Sequence, residues 1–273
     1  QDKSRSKKTL STIHMQEGRS IDTVFEIEGG ISNYLFSSNG KSIYVITSEW
    51  SKEFKNIENK NSEPMYYENL PFRFDTKGII YNKRAHVYKV NIQTKKFTKI
   101  VDGDANDIIS ISSLVEGEKG IVLSFDQYNL KGTMLEEKIG VIEGSKIKEI
   151  YSKGSMGNLF YYEDCLHAVG MRKRFDWPTN TSILKISSSG KVSFKYPSFD
   201  RNVVKAEVYE GILYFLYEDS GKTLLRDSTN SIDLINSEIT IKDFAFNNEK
   251  TYVIANSFSN PDEIYELSNG QLT

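Results

Sequence analysis

The stretch FSSNGKSIYVITS, residues 36–48, joins a polar turn to a run of alternating side chains. Asn39 and Gly40 are typical turn residues, and the alternation of Ile43, Val45 and Thr47 with their neighbours has the period of a β-strand. Near-copies of this pattern follow at EGEKGIVLSF (116–125), YEGILYFLYED (209–219) and NNEKTYVIANS (247–257). The chain therefore uses one turn-and-strand unit several times.

Further strands follow each copy of the unit. Second strands are predicted at STIHM (11–15), HVYKV (86–90), KIGVIE (138–143), SILKIS (182–187), TLLRD (223–227) and EIYEL (263–267). A third strand follows each of these after a polar turn, as in KKFTKIV, SKIKEIY, GKVSFKY and NSIDLIN. The whole unit recurs about every 40 to 50 residues, which is the spacing of the four-stranded blades of a β-propeller. Stacking such blades around an axis buries faces that one blade leaves open.

We therefore predict an all-β chain in which residues 1–273 form a single β-propeller domain of four-stranded antiparallel blades. Five near-complete repeats are preceded by the tail of one more, STIHMQEGRSIDTVFEI (11–27). We expect this first blade to be truncated, with its inner strands before Gln1, and we expect roughly six or seven blades in the intact protein.

Composition excludes several classes of protein. The net charge is −2 with 26% charged residues, so neither a nucleic-acid partner nor a membrane surface is expected. No apolar run approaches the roughly 18 residues of a membrane span, and the first ten residues lack a signal-peptide core. The single cysteine, Cys165, cannot form an internal disulfide. These features favour a cytoplasmic location.

One long insertion interrupts the repeat at residues 49–85, between SIYVITS and HVYKV. Its first half is highly charged and is predicted to be a solvated loop with one helical turn at most. Its second half, YYENLPFRFDTKGII, is aromatic. A shorter insertion, MRKRFDWPTNTS (171–182), occupies the equivalent place two repeats later. Long loops on a regular scaffold are frequent sites of function.

The unit SSNGKSIYVITS resembles the propeller repeat of the prolyl oligopeptidase and acylaminoacyl peptidase family of serine peptidases, and also that of TolB-like propellers. Residues 71–107, PFRFDTKGIIYNKRAHVYKVNIQTKKFTKIVDGDAND, are similar to an acylaminoacyl peptidase segment, although Lys77 replaces an expected glycine and Ile100-Val101 replace the usual Leu-Thr. Residues 255–273, ANSFSNPDEIYELSNGQLT, resemble the strand that ends the propeller in that family. The resemblance covers nearly the whole chain.

The resemblance implies the N-terminal, non-catalytic propeller domain of a serine peptidase that acts on short peptides. The propeller would gate access by substrate size and dock an α/β-hydrolase domain of the same polypeptide, which is expected after residue 273 and would carry the nucleophile, acid and base. A free-standing TolB-like propeller that binds a protein or peptide is the alternative. The insertion at 49–85 and the NPDEIYEL ending favour the peptidase.

No catalytic constellation is recognisable within the chain itself. The nearest match to a Gly-x-Ser-x-Gly nucleophile elbow is Gly154-Ser155-Met156-Gly157, one residue too short and with no helical pattern after it. We interpret His14, His86 and His167, each in a predicted strand, as structural histidines. The acidic stretch DGDAND (102–107) is interpreted as a turn between blades, because it lacks the glutamate that closes a calcium loop. No zinc-ligand spacing or phosphate loop is found, so no metal and no cofactor is predicted.

Two loop patches are therefore the candidate contact sites. Arg73 lies between Phe72 and Phe74 and could hold a substrate carboxylate or carbonyl. The alternative is that its guanidinium pairs with Asp75 or with a neighbouring blade.

The second patch is RKRFDWP (172–178). Here Arg174, Phe175 and Trp177 are candidates for an interdomain contact or for a homo-oligomer contact, with Trp177 as the anchor. The alternative is that Trp177 folds onto its own blade.

Overall fold

The computed structural model describes most of the chain. The described residues are 8–13, 21–27, 30–55, 64, 66–75, 78–118, 120–173, 179–229, 233–234, 239–247, 250–268 and 270–273. They divide into two compact units, Gln1–Ser152 and Lys153–Thr273. Within the described residues no helix is both long and apolar enough to cross a bilayer.

The described structure is almost entirely β. In the first unit the strands are β1 Lys8–Ile13, β2 Ile21–Ile27, β3 Gly30–Phe36, β4 Ser42–Trp50, β5 Arg73–Phe74, β6 Gly78–Ile79, β7 Lys83–Asn91, β8 Phe97–Val101, β9 Ser110–Gly117, β10 Gly120–Tyr128, β11 Leu135–Glu143 and β12 Lys146–Tyr151. Two single-turn helices accompany them, α1 Lys52–Lys55 and α2 Gly103–Asn106. In the second unit the strands are β13 Ser155–Tyr162, β14 Cys165–Met171, β15 Ser182–Ile186, β16 Val192–Phe194, β17 Val203–Tyr209, β18 Ile212–Asp219, β19 Lys222–Asp227, β20 Thr240–Asn247, β21 Lys250–Asn256, β22 Glu263–Ser268 and β23 Gln271–Leu272.

These strands form antiparallel meanders in chain order. In the first unit, sheet A is β1-β2, sheet B is β3-β4-β7-β8, sheet C is β5-β6 and sheet D is β9-β10-β11-β12. In the second unit, sheet E is β13-β14-β15-β16, sheet F has the three described strands β17-β18-β19, and sheet G is β20-β21-β22-β23. Each meander follows from short strands joined by tight turns, such as the one at Gly211, whose φ of 77° suits glycine.

Sheets within a unit pack face to face through apolar clusters. In the first unit Ile46 and Val87 of sheet B lie in one buried cluster with Leu123 and Phe125 of sheet D. In the second unit, buried apolar residues of sheets E and F form one cluster, and those of sheets F and G form another around Leu216. The inner strands of sheet F, for example, are therefore buried on both faces, because this sheet packs against a neighbour on each side.

The sequence patterns identify three strands in each repeat, and the structure shows one more strand in each of the larger sheets. The additional strand precedes the turn and is β3, β9, β13, β17 or β20 in the five larger sheets. The predicted third strand NSIDLIN (230–236) lies largely outside the described residues. Of its two described residues, Asp233 forms an isolated antiparallel bridge with Arg226.

The long insertion is shorter than predicted. Strand β4 continues to Trp50 and β7 begins at Lys83, because the two strands pair over their full length, with Trp50 opposite Lys83. The predicted helical turn in its charged half is present as α1.

Candidate functional site

The aromatic half of the insertion forms an arm, defined here by residues 66–75 and 78–82. It is held to the β10–β11 hairpin at two points. The Leu70 amide donates a hydrogen bond to the Gly132 carbonyl at 2.6 Å, and the Tyr128 hydroxyl donates to the Pro71 carbonyl at 2.8 Å. Burial raises the pKa of Tyr128 to about 12, so this hydroxyl remains a donor across the physiological range.

A column of aromatic rings supports the arm from within. Phe72 stacks on Tyr67 with 4.7 Å between ring centroids, and Tyr67 meets Tyr81 edge-on at 5.4 Å. Tyr81 contacts Tyr128 at 6.1 Å, which connects the column to the β10 strand. Such ring pairs favour offset or edge-to-face geometry and limit side-chain motion. The arm is therefore a shaped surface rather than a solvated loop.

The arm ends in the two-stranded ribbon of sheet C. Arg73 pairs with Ile79 and Phe74 pairs with Gly78, whose φ is +68°. Phe72 and Phe74 are 37% and 42% exposed. The structure thus places all three predicted contact residues, Phe72, Arg73 and Phe74, on one exposed ribbon.

Arg73 is exposed, as is Asp75. Among the described residues, neither side chain takes part in an ion pair, and no ring lies under the Arg73 guanidinium. The alternative interpretation, in which Arg73 pairs with Asp75 or with a neighbouring blade, therefore finds no contact in the described part of the chain. Within the described part of the chain, the arm thus presents an exposed cation without an ion-pair partner, on the same ribbon as two exposed rings.

The other predicted patch is not described to the same extent. Arg174, Phe175 and Trp177 lie outside the described residues, so their predicted roles stay predictions.

Ser155 does not occupy a nucleophile elbow. It begins strand β13 and pairs with Met171 of β14, whereas an elbow needs a sharp turn from a strand into a helix. Gly154 is packed so tightly that an added Cβ would lie 2.3 Å from the Met171 carbonyl oxygen.

The two described histidines are buried core residues, in agreement with their interpretation from the sequence as structural histidines. His86 and His167 are 1% and 0% exposed. The His86 Nδ1 accepts a hydrogen bond from the Gly103 amide at 3.0 Å, and the His167 Nδ1 donates to the Cys165 carbonyl at 2.9 Å. Burial lowers the pKa of both imidazoles, so both are neutral near pH 7. His14 lies outside the described residues.

His86, Asp102 and Asp104 form the one group of potential metal ligands found among the described residues. Most of its ligand atoms are engaged in local structure, whereas the buried Nε2 of His86 has no hydrogen-bond partner among the described residues. Asp102 caps α2 by accepting from the Asp104 amide at 3.2 Å, and the Nδ1 of His86 already accepts from Gly103. Burial opposes ionisation of Asp102, but Lys99 and Lys52 keep the pKa of its carboxyl below the usual value. The stretch 102–107 is a capped turn between sheets B and D.

A polar cleft of about 520 Å³ lies in the second unit, beside the β18–β19 turn. Several of its polar and charged side chains are paired within the cleft. Arg201 donates to Asp219 at 2.9 Å, and Asn202 donates to Glu218 at 3.1 Å. This internal pairing is typical of a solvated surface groove.

The attachment of the arm to the β10–β11 hairpin, at Tyr128 and Gly132, is not predictable from the sequence patterns. The contacts join residues about 57 positions apart, as with Tyr128 and Pro71. The one indication is the density of aromatic residues in YYENLPF.

Solved structures with the same fold include peptidases. An acylaminoacyl peptidase from Pyrococcus horikoshii matches with a TM-score of 0.72 at 14% identity, over 93% of this chain and 40% of that chain. The β-propeller domain of the Trilobed protease from Pyrococcus furiosus matches with a TM-score of 0.63 at 10% identity, over 97% of this chain and 77% of that chain. TolB from Acinetobacter baumannii matches with a TM-score of 0.53 at 12% identity, over 95% of this chain and 59% of that chain.

No protein-family model and no curated protein matches the sequence. Identities of this size establish the fold alone. The fold is a β-propeller of four-stranded antiparallel sheets, which confirms the predicted fold class. The chain spans 40% of the length of the Pyrococcus horikoshii peptidase that it matches.

Proposed function

We propose that this chain is the non-catalytic propeller domain of a cytoplasmic serine peptidase that resembles acylaminoacyl peptidases and prolyl oligopeptidases. In this proposal the propeller gates the access of short peptides by size and docks an α/β-hydrolase domain of the same polypeptide. The observation that carries the proposal is the likeness of nearly the whole chain to part of a peptidase from Pyrococcus horikoshii. Acyl transfer through a serine would then take place outside residues 1–273.

The arm is the proposed peptide contact within this chain. The Arg73 guanidinium lacks a partner among the described residues and can form two parallel hydrogen bonds with a carboxylate. Phe72 and Phe74 offer apolar surface on the same ribbon. The guanidinium suits the carboxylate of a short peptide, and the rings offer a separate apolar contact on the other side of the ribbon.

The coding region that follows the codon for Thr273 gives the first test. A further segment of about 250 residues with Gly-x-Ser-x-Gly, then Asp, then His supports the peptidase. A stop codon at or just after that position overturns it. In the first case, the 273 residues alone should not hydrolyse N-acyl amino acid or peptide reporters, whereas the full polypeptide should.

The role of Arg73 is tested in the full-length peptidase. Arg73→Ala should raise KM for short peptides about tenfold, the equivalent of one lost charged contact. Arg73→Lys keeps the charge but not the fork geometry, and should recover only part of the loss. Unchanged KM and kcat in Arg73→Ala would remove the role.

The second candidate is a free-standing binding propeller, favoured by the likeness to TolB from Acinetobacter baumannii. In that case the 273-residue chain would capture a defined protein or peptide without hydrolysing it. The same coding-region test separates the two candidates.

A further inference from the structure

Among the described residues, β5 has a strand partner, β6, on one edge only. The register pairs Arg73 with Ile79 and Phe74 with Gly78. The Ile80 amide donates to the Phe72 carbonyl at 2.9 Å, so the bonded positions lie on either side of Arg73. In an antiparallel pair, hydrogen-bonded positions alternate with positions whose backbone groups point away from the partner. Arg73 is such a position. Its backbone N–H and C=O therefore point to the edge that β6 does not occupy.

Two charged side chains at this edge are self-complementary: Arg73 belongs to β5, and Asp75 lies in the turn that follows it. Arg73 and Asp75 are opposite in charge, two residues apart, exposed, and without an ion-pair partner among the described residues. Phe74 lies between them and, because successive side chains alternate, it faces the other side of the ribbon. Exposed edges of this kind are templates for pairing with another chain.

We propose that the β5 edge pairs antiparallel with β5 of a second copy of this chain, about a two-fold axis at Phe74. In this register Asp75 would extend β5 by one residue and lie opposite Arg73 of the other copy, so that two symmetric ion pairs form and the open backbone groups of Arg73 gain partners. The competing register, with the axis at Arg73, would set two guanidinium groups opposite each other. Like charges directly opposite in a sheet are destabilising, so charge selects the first register.

Apolar contacts would accompany the pairing. Phe74 is 42% exposed, and on the first unit Tyr66, Leu70 and Leu130 are exposed by 83%, 55% and 109%. Pro71 limits the length of the paired edge, since it has no N–H and its carbonyl already accepts from Tyr128. The interface is therefore small, and its affinity should be in the micromolar range of weak complexes.

This inference does not rest on the proposed function. A peptide strand and a second copy would occupy the same edge, so peptide contact and self-association would compete. A dimer could form in a free-standing propeller as well as in a peptidase.

Sedimentation velocity of the 273-residue chain, from about 1 to about 200 µM, tests the proposal against a micromolar dissociation constant. The wild type should show a reversible monomer–dimer equilibrium. Arg73→Asp and Asp75→Arg should each weaken the dimer about tenfold or more, because each places like charges opposite each other twice. The double exchange Arg73→Asp with Asp75→Arg should restore the wild-type affinity to within about threefold.

Lys146→Asp, which reverses a charge on the exposed β12 strand, is the matched control and should leave dimerisation unchanged. Circular dichroism and thermal unfolding should be alike in all variants, since the exchanged side chains are exposed. A monomeric wild type at all concentrations would overturn the proposal. So would single variants that dimerise normally, or a double exchange that fails to restore association.

Discussion

Tyr44 of sheet B donates its hydroxyl hydrogen bond to the Glu116 carboxylate of sheet D, 72 residues later in the chain, at 3.1 Å. The other carboxylate oxygen accepts from the Ser38 amide. Burial opposes ionisation of Glu116, but the hydrogen bonds from Ser38 and Tyr44 hold the pKa of its carboxyl below the ordinary value. One side chain thus joins the turn of one sheet to the strand of the next.

Removing either partner of this contact should destabilise the first unit. Tyr44→Phe and Glu116→Gln should each cost about 1 kcal/mol in the free energy of unfolding, since a hydrogen bond to a charged group is being lost at a partly exposed site. In a double-mutant cycle the coupling energy should be about 0.5–1.5 kcal/mol. Urea unfolding of the four proteins measures it, and strictly additive effects would show that the two groups act independently.

Gly103 should tolerate no side chain. An added Cβ would lie 2.1 Å from the Ala85 carbonyl oxygen, which belongs to a buried strand and cannot move aside. Gly103→Ala should therefore lower the free energy of unfolding by about 2–4 kcal/mol or prevent folding. At Gly157 nothing lies within 4 Å of an added Cβ, so Gly157→Ala is the matched control. Its effect should stay within about 0.5 kcal/mol. Equal losses at both sites would contradict the close approach of α2 to β7.

Stability should fall as the pH falls below about 6.5, because of the buried histidines. Burial lowers the folded-state pKa of His167 and of His86, whereas the unfolded chain binds a proton near the ordinary value. Above that pH the two histidines are neutral in both the folded and the unfolded state, and they take nothing from the free energy of unfolding. Below it, protonation favours the unfolded state until the lowered folded pKa is reached, at up to about 1.4 kcal/mol per pH unit for each histidine.

His167→Phe should reduce this pH dependence. A phenylalanine preserves the stacking on Phe160, where the centroids are 5.5 Å apart, but it cannot bind a proton. The slope of the unfolding free energy between pH 7.5 and 5.5 should drop by about half, since His86 still contributes. A slope identical to that of the wild type would show that other groups dominate this range.

Much of the fold is predictable from the sequence, because strands and turns follow from local patterns. The predicted strand SIYVITS lies within β4, and GIVLSF lies within β10. The strand before each turn is harder to recognise. In β3, for example, Ser32, Asn33 and Tyr34 are all exposed, so its burial does not alternate cleanly.

The site is only partly predictable. The exposure of Phe72, Arg73 and Phe74 follows from their place in a long insertion outside the repeat. The absence of a partner for Arg73 among the described residues does not follow from the sequence, because Asp75 is near enough in the chain to pair with it. The stacking of Phe72 on Tyr67 fixes the chain next to Arg73, and it depends on a tertiary contact.

The hydrogen bond from Tyr128 of β10 to Pro71 should stabilise the arm against local opening. Tyr128→Phe removes the hydroxyl that bonds the Pro71 carbonyl but keeps the ring against Tyr81. The arm should open more often, by about 1 kcal/mol of local stability, which corresponds to roughly a fivefold faster amide exchange over residues 66–82. Exchange in β4 and β10 should be unchanged, because their buried residues do not depend on this bond. Hydrogen–deuterium exchange with peptide-level mass spectrometry resolves the two regions. Unchanged exchange in the arm would show that the aromatic column alone fixes it, and faster exchange in both regions would show that Tyr128 stabilises the whole unit.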